Sequence, residues 1–307
     1  MKGMIIIMRK QSFPDNAYRE IPQEYFSPCD KPGKVEAVNY TAKNYAGSGE
    51  EFDKTALVYL PYGYNPDDTA KKYNVMYMMH GGGGNEKELL GGAGMETEMK
   101  LILDNMIANG DLEPCLFVGI SYNTPYCKDA TACCREFAAE LVSDLIPAVE
   151  SRYNTYCPTP DIEGIRTSRL HRGFGGFSMG SACTWWVFEK ALNEIAYFLP
   201  TSGDSWGVEM KGGNTKPVET VENLIESIKK QSMSGDDFYI YCGTGTNDIA
   251  YPNMCPMVEE MKNRPDYFRY CDNFADGNFY FAVKEGGWHD QNTVRSIVFN
   301  GLPKFFG

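Results

Sequence analysis

The stretch RGFGGFSMGSACTWW, residues 172–186, decides how this chain reads. A glycine-rich apolar run ends at Ser178, and an apolar segment at helical spacing starts from Gly180. A tight strand-to-helix turn forces its apex residue into a strained backbone conformation, so the residues around it must be small. Gly176 and Gly180 meet that need on either side of Ser178, in the order G-x-S-x-G. Five such residues also occur in ordinary glycine turns, and the flanking strand and helix are what give the pattern a chemical meaning. In that setting the Ser178 hydroxyl would stand at the carboxyl edge of a sheet, where ligands of open α/β sheets bind. The N-terminus of the following helix would favour negative charge developing beside it.

Working outward, strand and helix alternate from Tyr73 to the end of the chain. YNVMYMMHGGGG (73–84) is a continuous apolar run ending in glycines, as in strands buried on both faces of a sheet. Further strands are predicted within 115–123, 172–178, 195–204, 237–248 and 278–287. Helices are predicted at 95–110, 135–153, 180–193, 217–230, 252–263 and 293–306. Two more strands, 34–42 and 54–61, precede the alternating part. The fold class is therefore α/β, a mostly parallel central sheet with helices on both faces. Pro147 inside the 135–153 helix predicts a kink. Residues 1–32, with four prolines and no period, read as an extended N-terminal arm, and 33–307 as a single domain.

The chain has 307 residues, long enough to bury a sizeable core without metals or disulfides. Its net charge of −12 argues against a nucleic-acid partner, which needs basic stripes to neutralise phosphates. The pairs Lys71–Lys72 and Lys229–Lys230 read as solvated faces. No segment approaches the roughly 20 apolar residues of a membrane span. At the start, only Met4 to Met8 are consecutively apolar, short of the roughly 7–15 of a secretory h-region. The expectation is a cytoplasmic chain as written, or a secreted one if a leader has been removed. Ten cysteines include no CxxC pair, which weakens a zinc or iron–sulfur reading. Cys115, Cys183 and Cys242 lie in apolar runs and read as core thiols. Cys127, Cys133, Cys134 and Cys157 cluster around one loop and helix; they read as free thiols, with a bridge open in an oxidising compartment.

A serine hydroxyl is a weak nucleophile and needs a base. The chain has three histidines. His171 lies at the start of the strand that ends at Ser178, roughly 20 Å away at 3.3 Å per residue, and reads as structural. His80 is tied to the glycine loop that it begins. His289, in EGGWHDQNT (285–293), follows the last strand and fits the chain order Ser, acid, His. The acid should follow a strand between them. Asp248, in CGTGTNDIAY (242–251), is the first candidate and Asp204, in TSGDSW, the alternative. An oxyanion would be met by the Met179 N–H and by Gly82 or Gly83 of the HGGGG loop, where glycine permits close backbone approach. Phe177, Trp206, Tyr251 and Trp288 fall on or beside the loops of this edge and supply flat rings for an aryl acyl group or a sugar. Trp185 and Trp186, on the helix after the turn, read as core.

In order and spacing, YMMHGGGGNE (77–86), GFSMGS (176–181), CGTGTNDIAY and EGGWHD (285–290) resemble the feruloyl esterases of carbohydrate esterase family 1. That group is related to esterase D and the mycolyltransferases. The resemblance runs from Lys54 to the C-terminus. It implies an α/β-hydrolase fold, no cofactor and no metal, and hydrolysis of hydroxycinnamate or acetyl esters on plant xylan. Family roles would fall on Ser178 as nucleophile, Asp248 as acid and His289 as base. The expected partner is a feruloylated or acetylated xylan oligosaccharide. Where the family often has SMGG this chain has SMGS, a departure at Ser181. The alternatives are an acetyl xylan esterase, a thioester or S-formylglutathione hydrolase and, from a different class, an inactive carbohydrate-binding relative.

Overall fold

A computed structural model of the chain describes residues 15–306. The Met4–Met8 run and the first part of the N-terminal arm lie outside the described residues. β1 (Lys34–Lys43) and β2 (Glu51–Leu60) form an antiparallel ribbon. β3 (Asn74–Met79), β4 (Cys115–Ile120), β5 (Arg172–Phe177), β6 (Tyr197–Thr201), β7 (Tyr239–Gly245) and β8 (Phe279–Lys284) follow. They make one eight-stranded sheet in the order β1-β2-β4-β3-β5-β6-β7-β8. β2 joins β4 antiparallel, and every pairing from β4 to β8 is parallel.

The sheet is covered on both faces. Along β3, Val75, Tyr77 and Met79 enter one core, and Met76 and Met78 enter the other. This is why β3 reads as a continuous apolar run instead of alternating with polar residues. Helices Ala130–Glu140, Met179–Lys190, Pro217–Lys230 and Tyr251–Lys262 pack on the first face. Helices Glu98–Asn109 and Gln291–Phe306 pack on the second. After β3 the chain steps outward to β4, then crosses back to lay β5 on the other side of β3. The crevice at such a reversal of strand order is where ligands of open α/β sheets sit. It brings the loop after β3 beside the turn after β5.

The helix predicted over 135–153 begins earlier and is interrupted. Leu141–Leu145 form a π turn between the helices Ala130–Glu140 and Ile146–Glu150. Pro147 has no N–H to give, and the wider turn just before it absorbs the break. Residues 15–32 are laid against the body. Asn16 bonds the Asp272 and Cys271 carbonyls, Arg19 and Asn300 exchange backbone-to-amide bonds, and Tyr25, in a 3₁₀ turn (Gln23–Phe26), is buried against Phe299. All ten cysteines are free thiols, and Cys115, Cys183 and Cys242 are buried as expected. No helix among the described residues is long and apolar enough to cross a membrane.

Arg172, at the start of β5, is fully buried and makes a two-pronged contact with Glu150: Nε to Oε1 at 2.6 Å and Nη2 to Oε2 at 2.9 Å. Tyr77 and Thr155 donate to the same carboxylate, and the remaining three guanidinium protons go to the carbonyls of Ile165 and Glu194 and to Ser168 Oγ. Removing one partner of such a pair leaves a desolvated charge. Arg172→Ala is expected to lower the unfolding free energy by about 3–5 kcal/mol, read from urea titration. The paired replacement Arg172→Met with Glu150→Met should cost much less, because no lone charge remains.

Candidate active site

Ser178 sits between β5 and the helix Met179–Lys190, with φ 56° and ψ −112°. This conformation is rare for a residue with a Cβ and costs on the order of 1–3 kcal/mol, so the surroundings must impose it. They do so by close packing. A Cβ on Gly176 would run into the backbone of Gly180, and one on Gly180 would come within 2.6 Å of the Met79 and His80 carbonyls. The serine N–H is tied to Thr201 O of β6 at 2.9 Å. Ser181, the departure from the family pattern, is buried and donates to Gly203 O at 2.7 Å, where Trp185 Nε1 also donates at 3.1 Å. The extra hydroxyl thus anchors the helix to the loop after β6. Trp185 and Trp186 are core residues, as expected.

His289 Nε2 lies 2.8 Å from Ser178 Oγ, and its Nδ1 lies 2.7 Å from Asp248 Oδ1. Three loops, from β5, β7 and β8, therefore converge at the carboxyl edge. The loops carrying Asp248 and His289 are zipped together: Asn247 N donates to Gly287 O at 2.9 Å, and a Cβ on Gly245 would strike Gly287. Asp248 also caps its own turn by accepting from the Ala250 N–H at 2.8 Å. Burial works to raise its carboxyl, but the hydrogen bonds, first that from His289, outweigh burial and hold it below the ordinary value. A carboxylate that accepts from Nδ1–H leaves Nε2 as the acceptor for a serine hydroxyl. Phe177 lies against the His289 ring at a tilt of 38°, with centroids 4.7 Å apart, and also touches Gly81.

The other candidates are occupied elsewhere. Asp204 accepts from Gly213 N and from the Trp206 indole, whereas the two His289 ring nitrogens face Asp248 and Ser178. His171 bonds Asn74 at the opposite end of the strands and stacks on Tyr156. His80 is buried, with Nδ1 2.6 Å from Gly81 O and Nε2 2.8 Å from Ser121 Oγ. A carbonyl can only accept, so Nδ1 carries the proton and Nε2 accepts from the serine. Burial pushes this imidazole below its ordinary pKa, consistent with a neutral ring.

The Gly81 carbonyl takes two more donors, Tyr122 OH at 3.3 Å and Gly84 N at 3.2 Å. The C=O and N–H of one peptide point opposite ways. Three donors that hold the Gly81 carbonyl inward therefore turn the Gly82 N–H outward. Gly83, at φ 76°, completes the turn in a conformation that suits glycine. Sequence reasoning missed this duty of His80, Tyr122 and Ser121, because it runs through contacts between β3 and β4 that no local pattern announces. Of the aromatic candidates, Trp206 is half-buried with its ring edge-on to Trp186, and Tyr251 opens the helix Tyr251–Lys262. Trp288 stands out in solvent, 62% exposed, next to His289.

An eight-stranded sheet of this order, with a strained serine turn at its switch point, defines a protein of the α/β-hydrolase fold. No protein-family model matches the chain. The feruloyl esterase module from Clostridium thermocellum, in a serine-to-alanine mutant complexed with sinapinate, is 39% identical, with a TM-score of 0.82 over 94% of this chain and 93% of that one. The ferulic acid esterase of the anaerobic fungus Anaeromyces mucronatus shares the fold at 16% identity, with a TM-score of 0.62 over 93% and 97% of the two chains. Among curated proteins, endo-1,4-beta-xylanase Y of Acetivibrio thermocellus is 39% identical over 94% of this chain but only 24% of its own length. The chain thus spans about a quarter of that relative. The chain belongs to the feruloyl esterase family.

Proposed function

We propose that the chain is a serine esterase that releases hydroxycinnamates such as ferulate from plant xylan. The observation that carries this reading is the unbroken relay from Asp248 through His289 to Ser178, at 2.7 Å and 2.8 Å, on a strained turn. In the first half-reaction Ser178 Oγ attacks the ester carbonyl as its proton passes to His289 Nε2. Asp248 holds the ring with Nδ1–H toward it and stabilises the imidazolium that forms. The N–H groups of Met179 and Gly82 receive the oxyanion. Met179 opens its helix and so has no carbonyl four residues back within it to serve. His289 then gives its proton to the departing sugar hydroxyl, leaving an acyl group on Ser178. Water, deprotonated by the same nitrogen, reverses the sequence and frees the acid.

The catalytic unit in this reading is residues 33–307. The acyl preference rests on the sinapinate complex of the C. thermocellum module and on the xylanase relatives, one of which is itself named for feruloyl esterase activity. Trp288, beside His289, is the ring best placed for stacking on substrate, with Tyr251 and Trp206 farther along the same rim. The test is parallel hydrolysis of methyl ferulate and p-nitrophenyl acetate, with labelling of Ser178 by a fluorophosphonate. Turnover of methyl ferulate with labelling is expected. Turnover of the acetate alone would make the chain an acetyl esterase. Turnover of neither would leave a carbohydrate-binding relative.

A further inference from the structure

We propose that Glu88 is a positioning residue that clamps the oxyanion loop to the element carrying the base; the inference rests on the esterase reading above. Glu88 follows the HGGGG loop, and its Oε1 accepts two hydrogen bonds. One comes from the Gly81 N–H at 3.1 Å, and the other from Gln291 Nε2 at 2.8 Å. Gly81 is the residue whose carbonyl His80 and Tyr122 hold inward. Gln291 opens the last helix, two residues after His289. One carboxylate oxygen therefore bridges the loop after β3 and the loop after β8, which are otherwise separate elements of the site.

The packing around the carboxylate is close. A Cβ on Gly84 would collide with Glu88 Oε2, so the loop folds directly over the acid. Gly81 in turn rests on Phe177, the ring that lies tilted against His289. With the Gly81 N–H held by Glu88 and its C=O held by His80 and Tyr122, the two peptides flanking the Gly81 Cα are both fixed, and the second of them carries the Gly82 N–H. The proposed oxyanion donor then has one orientation before substrate arrives. Such preorganisation acts on the transition state, where charge develops, and leaves ground-state binding little changed.

A side chain that only stabilised the fold would give a different kinetic signature. Wild-type turnover of methyl ferulate, and its loss in Ser178→Ala, first tests the esterase reading itself. On that enzyme, Glu88→Ala is expected to lower kcat about 20-fold with KM within about twofold, as a misaimed donor would. Affinity for an aryl boronic acid, which mimics the tetrahedral state, should fall in parallel, and inhibition by ferulate should stay unchanged. Glu88→Gln keeps an oxygen for both donors and should recover kcat to within about threefold of wild type. Glu88→Asp, which withdraws the carboxylate by one methylene, should behave like Glu88→Ala and serves if the alanine variant loses its fold. The inference is overturned if an intact Glu88→Ala or Glu88→Asp keeps wild-type kcat. It is equally overturned if boronate affinity does not move, or if Glu88→Gln is as impaired as Glu88→Ala. Because the wild type would remain active in each case, those results would leave the esterase reading standing.

Discussion

Ser178→Ala is expected to lower kcat for methyl ferulate by about 10⁶-fold while leaving the fold and ferulate binding intact. The substitution removes only Oγ, the atom 2.8 Å from His289 Nε2. Alanine carries the same Cβ, so the cost of holding φ at 56° is unchanged, and the Gly176–Gly180 packing that imposes it is untouched. What disappears is the route through an acyl-enzyme. The N–H groups that meet the oxyanion would still give some advantage over water, so the residual rate should be small but above background. Steady-state assays beside a thermal melt decide the matter. A loss of less than about a hundredfold would place the nucleophile elsewhere.

The second large effect belongs to Asp248→Asn, which should reduce kcat by about 10⁴-fold with the melting temperature nearly unchanged. Asparagine fills the same space, so the damage is to proton placement. Asp248 Oδ1 lies 2.7 Å from Nδ1 and keeps the proton on that nitrogen. An amide NH₂ turned toward Nδ1 would favour the other tautomer, with Nε2–H facing a serine it can no longer deprotonate. The carboxyl is held below its ordinary value, so wild-type Asp248 is ionised at neutral pH, and the variant measures the loss of both its charge and its acceptor. Retention of near-full activity would return the role to another acid. Asp204 could take it only by giving up Gly213 and Trp206, which now occupy its two oxygens.

Much of this architecture is written locally. The Pro217–Lys230 helix is found at the predicted residues, because its apolar positions recur at helical spacing and a proline opens it. β3 and β7 are found inside their apolar runs, because a strand buried on both faces needs no polar alternation. The serine turn was legible for a similar reason: steric demands at Gly176, Ser178 and Gly180 act between near neighbours in the chain. The π turn before Pro147 was visible only as a kink, since its width depends on how the helix seats against the sheet. Residue type suggests substrate contact for the flat ring of Phe177 beside the serine; its placement against His289 and Gly81 is a tertiary feature that no local pattern announces.

Local pattern in the chain is enough for the order of strands and helices, the serine turn and the short set of side chains able to serve it. These follow from periodicity, glycine sterics and the chemistry of a few residue types, all of which act over short stretches of chain. Which acid faces His289, how His80 and Tyr122 set the Gly81 peptide, and that Glu88 reaches Gln291 across 203 residues are settled by the packed fold. Those outcomes depend on strand order, because laying β5 beside β3 brings the two loops into hydrogen-bond range, and no local pattern encodes which strands will be neighbours.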